Sequence, residues 1–295
     1  MSSNTPYGID AGSFRDRDGR IYRCGDRILR GISEGALADF RKLEGKKFFK
    51  RFTEAGKLVA TKEIAADEVP LPDEEKALWA GFLEHERIPV VSYPYEWTFG
   101  MLQDAAVLTL DLLEAAIKAD MTLKDATPYN VQFVAGKPVF IDIPSFETLQ
   151  PGSTWSGYRQ FCEMFLFPLM LQAYKGIDIQ PMMRSSIDGV GIQTMARMFS
   201  FGQRFKKGVF SHVWLQAKLD RRYGSTSQDV KSELKSAGFS KELILANVRK
   251  TRKLVQKLSW GGEGSEWGDY EEFHNYSESD HGLKEAFIND CVRDS

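Results

Sequence analysis

Residues 123–146 read LKDATPYNVQFVAGKPVFIDIPSF. Val131-Gln132-Phe133-Val134 and Pro138-Val139-Phe140-Ile141 are two short runs of strand-forming residues joined by Ala135-Gly136-Lys137, which is hairpin chemistry. A polar loop with Lys124, Asp125 and Asn130 precedes the first run, and Asp142 directly follows the second. A hairpin returns the chain beside its own start, so the expectation is that Asp125, Asn130 and Asp142 meet in one polar site. Upstream, Leu102, Ala105, Ala106, Leu108, Thr109, Leu112, Leu113, Ala116 and Ile117 recur at spacings of three and four between Thr98 and Ala119. That period marks a long helix packed on one face, broken at Asp120.

A loop aspartate after a long helix, an asparagine five residues later and a second aspartate after a hairpin form the polar set of kinase-type phosphotransfer folds. The first lies near the acceptor hydroxyl, and the other two hold metal. Mg²⁺ suits such a set because it prefers oxygen ligands, usually one or two carboxylates completed by substrate phosphates. Asp125 is therefore the candidate catalytic base, Lys124, Asn130 and Asp142 are candidate cofactor-binding residues, and Asn130 and Asp142 are candidate metal ligands. Mg and ATP are the cofactors such a site would take. An aspartate in a polar loop is more often a turn-former, and D-x-x-x-x-N arises by chance in many chains. The surrounding helix, hairpin and strand-ending aspartate give it weight.

Parts of a working kinase site are missing from the sequence. Such a site uses a strand lysine on the nucleotide phosphates and a helix glutamate to orient it. Residues 1–41 contain no lysine. Arg23 or Arg30 offers charge instead, with Glu34 or Glu44 as partner, although a planar guanidinium is not equivalent to an ammonium. Gly12, Gly19, Gly25 and Gly31 are scattered rather than gathered in a phosphate-cradling loop, and Ile143-Pro144 follows Asp142 where a glycine is expected.

Outward from this centre, residues 13–30 read as short strands punctuated by Asp18-Gly19 and Gly25-Asp26. From Glu34 to about Ala60, Leu37, Phe40, Leu43, Phe48, Phe49 and Phe52 predict one or two amphipathic helices. Residues 63–99 read as a connector in which Ile88-Pro89-Val90-Val91 forms one buried strand. Its aromatic string Tyr93, Tyr95, Trp97 and Phe99 is expected to pack at a junction. Helices are expected at 158–175, 190–199, 206–222 and 240–258, broken by the polar run GSTSQD at 224–229. After Leu258 a Gly-, Ser- and acid-rich stretch reads as a linker, followed by a last helix capped by Ser279. The fold class expected is α+β and protein-kinase-like, with a small N-terminal β-hairpin and helix lobe and a mainly α-helical C-terminal lobe. The division is 1–97, 98–258 and 259–295.

At 295 residues and 42% hydrophobic the chain can bury a sizeable core. Its 39 basic and 41 acidic residues give no bulk bias toward nucleic acid. Three dispersed cysteines argue against a disulfide framework or zinc site, and a reducing cytoplasm is expected. The N-terminus has no apolar segment of the secretory type. Phe161–Tyr174, only 14 residues with Glu163 and Pro168, reads as a core helix rather than a membrane span of roughly 20. Cys162 within it is expected as buried packing. The four histidines show no ligand spacing and read as surface or helix residues. The basic runs Arg204-Phe205-Lys206-Lys207 and Arg249 to Lys253 read as solvated helix faces.

The phrases SYPYEWTFGMLQDAAVLTLDLLEAA, MTLKDATPYNVQF, GKPVFIDIPSFE and YRQFCEMFLFPLML resemble the front half of large bacterial SAM-dependent methyltransferases of the nodulation-protein-like type. The likeness extends over nearly the whole chain. It implies a kinase-like front region followed by a Rossmann-type methyltransferase domain. It also implies a junction motif corresponding to Glu266-Trp267-Gly268-Asp269-Tyr270, Asn275-Tyr276-Ser277, Lys284 and Phe287. No strand and G-x-G turn follows Ile288, so the methyltransferase domain is expected to be absent here and S-adenosylmethionine to bind only in that missing domain. Three readings follow. One is a region that positions a small-molecule or glycan-like substrate, or a partner, for that domain. Another is an ATP- and Mg-dependent small-molecule phosphotransferase with Asp125 as base. The third is a scaffold without ligand.

Overall fold

The computed structural model describes residues 7–10, 12–13, 18–223, 240–261 and 277–293. They fall into two compact units, Met1–Ser259 and Trp260–Ser295. The first unit opens with a five-stranded antiparallel sheet built from β1 (Gly8–Ile9), β2 (Gly19–Cys24), β3 (Arg27–Ile32), β4 (Thr61–Ile64) and β5 (Gly81–His85), in the order β1-β2-β3-β5-β4. Gly25-Asp26 makes the tight turn between β2 and β3 as its sequence predicts, whereas Asp18-Gly19 leads into β2 instead of forming a turn.

Between β3 and β4 lie α1 (Glu34–Glu44) and α2 (Lys47–Glu54), the two amphipathic helices expected. Ser33 caps α1 by accepting from the Ala36 amide at 3.3 Å, and Leu37, Phe40, Leu43, Phe48, Phe49 and Phe52 all enter the main core. The short α3 (Asp73–Lys76) precedes β5.

The strand in the connector is not where hydrophobicity placed it. Val90 and Val91 are 71% and 55% exposed, while Gly81–His85 lies between β3 and β4. Its Glu84 is tolerated in the middle of the sheet because neighbouring strands neutralise its charge. Arg27 bonds it at 2.7 Å, and Lys62, directly opposite in β4, at 3.0 Å. The aromatic string does pack: Trp97 is buried edge-on against Phe133 at 5.0 Å, and Tyr93 stacks on Tyr95 at 5.5 Å.

The helical part begins with α4 (Phe99–Lys118), started by the Thr98 hydroxyl on the Met101 amide and ended before Asp120 at φ 63°. Then come β6 (Met121–Leu123), the hairpin β7 (Val131–Val134) and β8 (Lys137–Phe140), and β9 (Phe146–Thr148). The hairpin turn is Ala135-Gly136, so Lys137 belongs to the strand. The pairing of β6 with β9, unforeseen from sequence, closes the base of the polar loop and the hairpin. The backbone of Lys57–Val59 pairs with Phe140, with Val59 N donating to Phe140 O and Phe140 N to Lys57 O, both at 3.0 Å. One ladder thus ties the N-terminal part to the hairpin.

Beyond β9, α5 (Tyr158–Phe161), a π-turn Cys162–Leu166 and α6 (Phe167–Lys175) run continuously. This is the expected helix 158–175; the π-turn lies just ahead of Pro168, which cannot donate to a carbonyl one turn back. α7 (Gln180–Ser185) and α8 (Ile192–Met198) follow, then a second π-turn, Phe210–Trp214, leads into α9 (Leu215–Tyr223). α10 (Lys241–Val255) packs along α4, where the Gln103 amide donates to the carbonyls of Val255 and Leu258 at 2.7 Å each. The second unit contains α11 (Glu278–Arg293), whose cap is Ser277 rather than Ser279, since the Ser277 hydroxyl receives the Asp280 amide. The run 224–229, the linker core and the motif residues Glu266 to Tyr270, Asn275 and Tyr276 lie outside the described residues. The fold class is α+β, as expected. No described helix is long and apolar enough to cross a membrane.

Among the described glycines, Gly189 and Gly208 combine a positive φ with a close approach. Gly189, at φ 74°, would place a Cβ 2.3 Å from the backbone oxygen of Glu163; Gly208, at φ 82°, would place one 2.4 Å from the tip of Leu254. Backbone cannot yield and a side-chain tip can. Urea denaturation should therefore show Gly189→Ala losing about 3 kcal/mol and Gly208→Ala about 1–2 kcal/mol. Equal losses would contradict this account.

Candidate functional site

The polar loop is fixed at both ends before any charge is considered. Trp155 Nε1 donates to Leu123 O at 2.9 Å, the Ala126 amide to Gln160 Oε1 at 2.6 Å, and the Tyr129 amide to the Thr127 hydroxyl at 3.3 Å. Downstream, the Ile141 amide donates to Asn130 O at 2.8 Å, and the Lys124 amide to Ser145 O at the same distance. Loop and post-hairpin segment therefore lie side by side, which is the convergence the hairpin predicts.

Asn130 and Asp142 meet on one hydroxyl. Asn130 Nδ2 donates to Ser145 Oγ at 3.1 Å, and Ser145 Oγ donates to Asp142 Oδ2. The other Asp142 oxygen accepts from Arg30 Nη1 at 2.5 Å. Arg30 stands on β3, so this ion pair joins the sheet to the post-hairpin segment; the side chains are 9% and 23% exposed. Lys124 makes a second link, donating to Asp18 Oδ2 at 2.7 Å just before β2. Asp125, next to Lys124, acts electrostatically on Lys124 and on Glu147 of β9.

Burial pushes the Asp142 carboxyl up, but the Arg30 charge and the Ser145 hydroxyl outweigh it and hold the group below its ordinary 3.8. Asp18 is lowered by its hydrogen bond to Lys124. Lys124 is raised, the Asp18 bond overcoming burial. Glu147 is raised by burial, with the carboxylates of Asp39, Asp125 and Asp18 adding to it.

Arg30, Asp18, Ser145, Glu147 and His85 are the residues that sequence reasoning missed here. The sequence offers Arg23 or Arg30 as the charge in place of a strand lysine, with Glu34 or Glu44 as its partner; in the structure Arg30 goes instead to Asp142, and Arg23 to Asp10 at 2.6 Å. Ser145, three residues after Asp142, was a local signal within reach. His85 is a strand residue rather than a surface or helix histidine. Its Nδ1 lies 2.9 Å from Thr61 Oγ1, and burial, then the Arg30 charge, push it down to about 4. His212 is in helical structure as expected but buried, with Nδ1 2.7 Å from the Tyr158 hydroxyl. Cys162 is buried as expected, its thiol pushed up to about 12 by that burial.

The site as arranged does not fit Mg²⁺. Both Asp142 oxygens are already engaged, one by a guanidinium that repels a cation. A roomier cleft of about 900 Å³, between Lys46, Lys47 and Arg51 on one side and Asp111, Glu114 and Asp120 on the other, contains none of the converging loop residues. Volume and chemistry part company, and the polar convergence marks the candidate site.

Removing Arg30 strands a largely buried carboxylate. Arg30→Met should cost about 2–3 kcal/mol in urea unfolding at pH 7, and adding Asp142→Asn should recover much of it. With the folded Asp142 pKa depressed, the pair's contribution is full above pH about 4 and is lost as pH falls through the lower folded value. The Arg30→Met deficit should shrink over that acid window; a deficit unchanged down to pH 2 would contradict the pairing.

No family model matches the chain. A solved structure of vaccinia related kinase 3 overlaps 84% of this chain and 88% of its own at 10% identity, with a TM-score of 0.35. In sequence, the chain is 31% identical over 289 residues to nodulation protein NoeA of Rhizobium meliloti (strain 1021). That match takes in 96% of this chain and 58% of NoeA. The chain is thus homologous to NoeA and spans little more than half its length.

Proposed function

We propose that this chain is a kinase-like region of a nodulation-protein-like, SAM-dependent methyltransferase, and that it positions an acceptor substrate or a partner without transferring methyl groups itself. The observation that carries this reading is the closure of the site on itself, with Arg30 and Ser145 holding the carboxylate that a phosphotransferase would give to metal. The Lys124–Asp18 link closes the same side. Homology to NoeA over 289 residues supports the nodulation-protein-like part, and the methyltransferase part rests on the sequence resemblance. On this reading 1–97 is the small lobe, 98–258 the helical lobe, and 259–295 the lead into the methyltransferase domain. Acceptors with several hydroxyls, glycan-like or otherwise small, suit a site rich in carboxylates and amides.

A second reading has one observation in its favour, the meeting of Asn130 and Asp142 on Ser145 in the order a phosphotransferase uses. It makes the chain an ATP- and Mg-dependent phosphotransferase with Asp125 as base, and it requires Arg30 to leave Asp142.

Thermal-shift titration separates the two. The positioning reading expects no change in melting temperature with Mg-ATP or S-adenosylmethionine on this chain. Strong stabilisation by S-adenosylmethionine would overturn it. Mg-dependent ATP turnover abolished by Asp142→Ala would instead establish the phosphotransferase.

A further inference from the structure

The surface on the helical part between α8 and α9 carries an unusual charge and an unusual texture. From Gly189 to Leu219 the chain has Arg197, Arg204, Lys206, Lys207 and Lys218 but no aspartate or glutamate, in a protein whose overall charge is −2. Within this stretch Phe201, Phe205 and Phe210 are 69%, 84% and 63% exposed. Isolated exposed apolar side chains are ordinary; three phenylalanines within ten residues are not.

The rings are held outward. Val209, next to Phe210, is fully buried, and Gly208 brings the backbone against Leu254 and Met170. The Tyr174 hydroxyl donates to Lys207 O at 2.9 Å, Lys206 Nζ to Tyr174 O at 3.0 Å, and Lys175 Nζ to Gln203 Oε1 at 3.0 Å. The Arg204 guanidinium lies over both the Phe201 ring, at 4.3 Å, and the Trp214 ring, at 3.1 Å, joining the turn to the helix that carries Phe210. A turn pinned this way cannot fold its phenylalanines into the core.

We infer that the turn 201–210 is a docking surface for an anionic lipid bilayer, with Phe205 and Phe210 entering the acyl boundary on either side of Lys206-Lys207 at the headgroups. Charge complementarity selects an anionic occupant. Texture selects lipid over an acidic protein. A ring exposed over 84% of its surface needs a matching pocket in a protein partner, whereas a bilayer accepts it without one. Lysine is also depleted at the centre of protein interfaces and favoured against anionic headgroups.

The test is co-sedimentation of the full chain with phosphatidylcholine vesicles, with and without phosphatidylserine. Binding is expected only with phosphatidylserine and should weaken with added NaCl. Phe205→Ala with Phe210→Ala should reduce it about tenfold or more, and Lys207→Gln alone, which leaves the Lys206 bond to Tyr174 in place, about fivefold. Circular dichroism checks folding, and the lysine variant carries the test by itself if the phenylalanine variant misfolds. Absence of phosphatidylserine-dependent sedimentation overturns the inference, as does binding that both variants retain. Lipid-independent self-association abolished by the phenylalanine variant would assign the surface to a protein and overturn it equally.

Discussion

The guanidinium of Arg30 and the carboxylate of Asp142 are both largely withdrawn from water, and neither can remain there without the other. That requirement orders everything around the candidate site. The sheet must bring β3 over the post-hairpin segment, the β7–β8 hairpin must deliver Asp142 at the right height, and Ser145 must turn back to complete the carboxylate's second oxygen. Asn130 then finds its partner on Ser145, and Lys124 reaches across to Asp18. A site that would otherwise repel itself, with Asp18, Asp125, Asp142 and Glu147 in one neighbourhood, is relieved in part by Arg30 and Lys124.

The sequence spoke clearly where its signal was periodic or local. The apolar recurrence along α4, the aromatic spacing of α1 and α2, and the turn chemistry at Ala135-Gly136 each specify an element within a dozen or so residues. The approach of Asn130 to Asp142 was legible for the same reason, because a hairpin is a local device that joins distant-looking residues. What stayed hidden depends on partners far along the chain. β4 and β5 carry a lysine, two glutamates and a histidine, and it is the cross-strand meeting of Glu84 with Arg27 and Lys62 that lets those charges sit in strands. β6 and β9 are three residues each and have no signature apart from each other. Arg30 is 112 positions from Asp142, and nothing near either residue announces the pair.

The two π-turns illustrate another kind of hidden information. Cys162–Leu166 and Phe210–Trp214 each lie at or inside helical runs that periodicity predicts as unbroken. They place Tyr158 and His212 in contact and leave His212 neutral, its pKa pushed down to about 4 by burial. A tyrosine hydroxyl beside a neutral imidazole satisfies both in the core without any charge, and this is a packing solution that a four-residue helical repeat does not reveal.

The ladder between Lys57–Val59 and Phe140 acts as a ruler. Strand residues advance about 3.3 Å each and alternate faces, so slipping this pairing by one position would carry Asp142 one full step from Arg30 and turn Phe140 out of the core. Chain length is therefore elastic on one side of the ladder and rigid on the other. Additions at the Ala135-Gly136 tip leave the measured distance intact, while a single residue gained or lost between Phe140 and Asp142 separates the two charges. The hairpin thus has one free end and one calibrated end.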